Sequence, residues 1–220
     1  EIQGLNQAVR NASDAQAYLA TTEGALEEVH TILLRIRELA VQSSNGTYTA
    51  QDRVALQAEV TDLQSEINRI ATDTTFNNIG VLSGAASTGI TFQIGADNTQ
   101  TMTVSVSRST ISAMGVNIST AIQVLSAGGA MNYISTIDSA ISIVSTDRGT
   151  YAAAINRLDH AIANMQNVAT NLSMAKGRIE DADFAAETSN LARVQVLQQA
   201  SMAMLAQANA SKQNILSLFQ

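Results

Sequence analysis

Leu5, Ala12, Leu19, Leu26, Leu33 and Ala40 fall seven residues apart, and Ala8, Ala15, Thr22, Val29 and Ile36 interleave three residues after each. Alternating steps of three and four keep one apolar seam on one side of a helix. The spacing predicts a helix over 2–43, on the order of 60 Å long at the helical rise. A second seam runs through Ile134, Ile141, Arg148, Ile155, Ile162 and Ala169, with Ile137, Val144, Tyr151, Leu158, Met165 and Leu172 interleaved. Only Arg148 and Ala169 depart from large apolar residues there. Two seams of this length mark rod-forming helices, so the chain should be mainly α. The chain has no Pro, which permits long, uninterrupted helices without demanding them.

Shorter elements lie between the seams. Asn45 and Gly46, in SSNGTYT, end the first helix with turn chemistry. Thr49, with Asp52 three residues on, is a capping start for a second helix marked by Leu56, Val60, Leu63, Ile67 and Ile70. From Ala71 to Gly89 the periodicity is lost, which predicts a loop pinned by Phe76, Ile79, Val81 and Leu82. Ile90, Phe92 and Ile94, then Met102, Val104 and Val106, alternate with polar residues around a turn at Gly95–Gln100. This is one small β-hairpin at about 90–107, and a lone hairpin needs helices to pack on. A short helix over Ile118–Leu125, closed by Gly128 and Gly129, completes the expected elements.

The chemistry of the side chains excludes several functions. With no Cys among 220 residues, neither disulfides nor Cys-ligated metals are available. A net charge of -7 without a basic cluster is a poor match to nucleic acid. No apolar stretch is long enough to predict a membrane-spanning helix. No glycine-rich nucleotide loop or nucleophile elbow is present, so no catalytic residue, cofactor or metal is assigned and the chain is read as a non-enzyme. His30 and His160 sit on different predicted helices, and the acidic run in RIEDADFAAE lacks the spacing of a calcium loop. Both are read as surface residues. In LLRIRELAVQ, the spacing of Arg35, Glu38 and Leu39 allows a shared outward face.

At KGRIEDAD the second seam breaks, and Gly177 with its acidic neighbours suggests a joint. The division expected is a rod domain over 1–178 and a carboxyl-terminal helix over 179–220. The charges of the last thirty residues are only Arg193 and Lys212. Their best seam is Val194, Leu197, Ser201, Met204, Ala208, Ser211, Ile215 and Leu218, with Leu191, Val196, Leu205 and Phe219 lying off it. A helix apolar on several sides wants several neighbours.

IQGLNQAVRNASDAQAYLATTEGALEEV, LLRIRELAVQSSNGTYT, TDTTFNNIGVLSG, FQIGADNTQTMTVSV and GRIEDADFAAETSNLARVQVLQQASMAMLAQANASKQNILSLFQ together resemble bacterial flagellin, segment by segment and in order. The resemblance implies a mainly α fold: a long, antiparallel, coiled-coil-like helical rod of the outer-core type, its one small β-hairpin, and a carboxyl-terminal inner-core helix. It implies a structural subunit that polymerises with itself into a helical filament for motility. The subunit would be secreted through the flagellar export apparatus with a chaperone and reside in the extracellular flagellum. The family begins with a further helical segment that pairs with the carboxyl-terminal helix. The expectation is that this segment is absent and that the chain is a core-only member without large outer domains.

Val194, Leu197, Met204, Ala208, Ile215 and Leu218 then become an assembly seam. Arg35, Leu39 and Glu59 match positions that the family uses for intersubunit contacts and for recognition by the vertebrate Toll-like receptor for flagellin. Glu59 should face Arg35 across the helix pair. The alternative from a different class is a flagellin-like surface-binding or adhesion protein, or a hook–filament junction protein. It is disfavoured by the lack of an aromatic platform for sugar.

Overall fold

The computed structural model describes residues 1–83, 89–105, 113, 124–180 and 184–217. The elements in order are α1 (Ile2–Ser44), α2 (Ala50–Asp73), β1 (Thr75–Phe76), β2 (Ile79–Gly80), β3 (Ile90–Gln93), β4 (Thr101–Val104), α3 (Ala127–Glu180) and α4 (Phe184–Ser217). The chain forms two compact units, Glu1–Thr170 and Asn171–Gln220.

The first unit is the helical rod that the seams predict. Every member of both predicted rows of α1 is buried. Three side-chain contacts set the direction of α3 against α1. Gln16 donates to Asp159 at 2.6 Å, Arg148 donates to Glu23 at 2.8 Å and Arg37 donates to Asp138 at 2.7 Å. As α1 advances its partners on α3 recede, so the two helices are antiparallel. Arg148, the one charge in the predicted seam of α3, is thereby matched by a half-buried carboxylate of α1.

The buried side of α3 differs from the prediction by one position. Ile137, Val144, Tyr151, Leu158, Met165 and Ala169 are buried as expected, but their companions are Ala130, Tyr133, Ala140 and Ala154. Ile134, Ile141, Ile155 and Ile162 are only half-buried. Small alanines occupy the buried row, and the isoleucines flank it.

The rod has two sections. Around the second half of α1 it is three helices thick, because α2 packs beside α1. Gln64 of α2 donates a buried 2.6 Å hydrogen bond to the Tyr133 hydroxyl of α3, which burial pushes up to about 12. Around the first half of α1 the space beside the long helices is filled by hairpins. Tyr18 meets Phe76 edge-on at 5.8 Å and Phe92 at 6.1 Å. Asn11 donates to the carbonyl of Gln93 at 3.2 Å.

The hairpin β3–β4 has the predicted faces, with Ile90 opposite Val104 and Phe92 opposite Met102. Val106 and Ile118–Gln123 lie outside the described residues. A second hairpin, β1–β2, occupies what was predicted as loop. Its turn is Asn77–Asn78, with φ of 50° and 63°. Asn tolerates that left-handed conformation, and two such residues in succession make the tight turn whose twist suits a hairpin. Val81 and Leu82 are buried as predicted, whereas Ile79 is exposed.

Helix ends follow side-chain chemistry. The Thr49–Asp52 capping box is formed, and the Thr49 hydroxyl and amide hold the Asp52 carboxylate below its usual range. Gly128 and Gly129 begin α3 and do not close a preceding helix. The Gly129 amide donates to the Ser126 hydroxyl at 3.1 Å, and this cap outweighs the low helix propensity of the glycines. The last turn of α1 carries no basic residue of its own. Buried Arg53 of α2 serves it instead, donating to the carbonyls of Ser43 at 3.2 Å and Asn45 at 2.8 Å. Those carbonyls have no helical partner and carry the negative end of the helix dipole.

Candidate functional site

Two surfaces stand out. The first lies on α1 and α2. The Arg35 guanidinium reaches across the helix pair, with Nε at 2.9 Å and Nη2 at 2.7 Å from Glu59 Oε1. Its Nη1 donates to Glu38 Oε2 at 3.1 Å along the same helix. Glu59 first, then Glu38, holds the guanidinium more firmly protonated than usual. The three side chains remain substantially exposed, so the cluster adds little to stability. The acid–base–acid bracket presents a fixed pattern of charge on the surface. Leu34 and Val41 are exposed on the same helix.

Arg35 and Glu59 are brought together as the sequence suggested, and Leu39 is not part of the outward face. Leu39 is 1% exposed and points into the rod. The reason is local thickness. Where α2 covers a second side of α1, the buried stripe widens beyond a simple heptad seam and takes in Leu39 and Ser43.

The second surface is α4. Val194 is 60% exposed, Leu197 59% and Met204 72%. Ala208 is exposed too, as are the off-seam residues Leu191, Val196, Met202 and Leu205. Ile215 lies within α4 but its side chain is outside the described residues, as is all of Leu218. At 100° per residue these apolar side chains spread over roughly two thirds of the helix circumference. The predicted seam is one stripe of a broader apolar surface. Among the described residues of α4, each bears solvent exposure that an isolated soluble helix would give to polar residues.

His30 and His160 are not brought together. His30 lies between the Glu23–Arg148 and Arg37–Asp138 contacts, whereas His160 is beside the Gln16–Asp159 contact at the other end. Among the described residues no group of three or more His, Cys, Asp or Glu is placed to hold a metal ion. No helix among them is long and apolar enough to cross a membrane.

With both surfaces placed, the relatives of the chain become informative. The pattern of the bacterial flagellin N-terminal helical region matches residues 1–87, and that of the flagellin C-terminal helical region matches residues 134–219. A flagellin of Halalkalibacterium halodurans is 40% identical over the whole chain and 80% of its own length. Flagellin FlaB1 of Treponema pallidum is 38% identical over the whole chain and 81% of its own length. The flagellar filament core protein flaB2 of Brachyspira hyodysenteriae is also 38% identical, with the same coverage of this chain. The crystal structure of Bacillus cereus flagellin superposes with a TM-score of 0.62 at 34% identity, over 76% of this chain and 94% of that one. These matches span the α1–α2 surface and α4 alike, and the chain belongs to the bacterial flagellin family.

Proposed function

We propose that this chain, a structural subunit of the bacterial flagellar filament, enters the polymer chiefly through α4. The observation that carries the reading is the contrast between buried seams in α1 and α3 and the exposed apolar surface of α4. An apolar surface wider than one stripe suits a helix that gains several neighbours at once, as a subunit does in a helical array. Repeated head-to-tail contacts that do not close give a fibre. We place the functional boundary near residue 178, ahead of α4, with 1–178 as outer-core rod and 179–220 as inner-core helix. Export through the flagellar apparatus with a chaperone, and residence outside the cell, follow as parts of the same reading.

The test is seed elongation. The native gene product should lengthen sheared filament fragments, and Leu197→Asp should lengthen them at least about a hundredfold more slowly. The rod of that variant should melt as before, because an exposed position tolerates a charge. Normal elongation by Leu197→Asp would remove α4 from the assembly surface.

Arg35 and Glu59 are proposed as contacts for a neighbouring subunit and for the vertebrate Toll-like receptor for flagellin, with Leu39 acting from within by supporting α1. What favours this is the exposed bracket beside Leu34 and Val41. Arg35→Ala should weaken receptor activation in a reporter assay without altering the melt. Unchanged activation would exclude the bracket from that role.

A further inference from the structure

Six of the seven methionines lie among the described residues, and they divide sharply by exposure. Met102 and Met165 are each 5% exposed within the rod. Met202 is 61% and Met204 72% exposed on α4. Met131 and Met174 are exposed on α3 and lie outside the α4 surface. Residues two apart sit about 200° around a helix from each other. The side chains of Met202 and Met204 therefore project from opposite sides of α4. A neighbour packing on either side meets one of them.

We propose that Met202 and Met204 form an oxidation site that arrests polymerisation when a peroxide-class oxidant reaches the unassembled subunit. This rests on the reading of α4 as the assembly surface. The thioether sulfur attacks the distal oxygen of hydrogen peroxide. A sulfur–oxygen bond forms and the oxygen–oxygen bond breaks. The departing hydroxide takes the proton of the oxygen now on sulfur and leaves as water, so sulfur loses two electrons and the peroxide gains them. The product sulfoxide is polar and needs hydrogen-bond donors that an apolar contact does not supply. Since the two sulfurs take opposite sides, rotating α4 cannot remove both from the contact. Once packed in the polymer, the same sulfurs are shielded, so susceptibility belongs to the free subunit.

The experiment treats the native gene product with dilute hydrogen peroxide, quenches with catalase, and follows seed elongation alongside peptide mass spectrometry. Oxygen should appear at Met202 and Met204 well before Met102 and Met165, and elongation should fall at least about tenfold. The double variant Met202→Leu, Met204→Leu should elongate equally with and without peroxide. Methionine sulfoxide reductase should restore the oxidised native chain, which keeps the test decisive if the leucine variant assembles poorly. Elongation at full rate by chain oxidised at both positions would overturn the proposal. So would equal inhibition of an assembling double variant, or oxidation that begins at Met102 and Met165. Failure of the untreated native chain to elongate would instead refute the assembly reading itself.

Discussion

Leu33 in α1 is 0% exposed and Leu197 in α4 is 59% exposed, though both lie in long helices rich in Leu, Ala and Val. The difference lies in how the apolar residues are arranged. In α1 they recur by threes and fours along one stripe, which another helix of the same chain can cover. In α4 they spread around most of the circumference, and one helical partner cannot cover them all. The first arrangement describes an element completed by folding. The second leaves apolar surface exposed in the single chain, which is what the proposed role of α4 in association would cover.

The comparison can be broken most forcefully at the centre of the rod. Leu33→Asp puts a carboxylate where no water reaches and should cost at least about 4 kcal/mol, enough to abolish the cooperative melt seen by circular dichroism. Ile155→Asp, in the row that the sequence places at the centre of α3, should cost much less, since that side chain is half-buried and its charge can turn outward. Equal damage from the two would mean that the seam runs through Ile155 after all.

A smaller effect sharpens the contrast by pH. The Tyr133 hydroxyl moves from an unfolded value of 10.0 up to about 12 in the rod, chiefly through burial. A raised value means that the folded chain holds the proton longer than the unfolded chain. The associated stability is intact below pH 10 and drains away as pH climbs through 12. The slope is at most about 1.4 kcal/mol per pH unit for one such group. Tyr18 is raised by burial as well and adds in the same direction. Tyr133→Phe should therefore reduce the alkaline loss seen in urea melts without removing it. All four tyrosines precede residue 171, so the second unit contributes no such response. An identical alkaline slope in wild type and variant would show that Tyr133 is not buried in the folded chain.

Much of this fold was legible because α1 carries an unbroken heptad on which every predicted seam residue is buried. The cap at Thr49 and the hairpin at Ile90–Val104 were legible for the same reason, since short-range chemistry decided them. What was obscured came from contacts made by small or polar residues. Ala140 and Ala154 do not announce a seam as strongly as Ile141 and Ile155 do, yet they are the residues that are buried. The β1–β2 hairpin was hidden in an Asn-rich stretch, and Asn77–Asn78 was the signal for it. Gly128 and Gly129 look like a helix stop until the Ser126 cap is considered. Of the sites, the Arg35–Glu59 pairing was suggested by the family resemblance and not by spacing, and the burial of Leu39 required knowing that α2 thickens the rod there.

Amide hydrogen exchange on the free chain and on the filament tests the central claim most directly, because it reads both regions in one experiment. In the free chain, amides of Val29–Ala40 should be strongly protected and those of α4 should exchange rapidly. In the filament, α4 should slow by at least about a hundredfold while Val29–Ala40 changes little. An α4 that is already as protected as Val29–Ala40 in the free chain, or that stays fast in the filament, would contradict the division between a helix completed by folding and a helix completed by assembly.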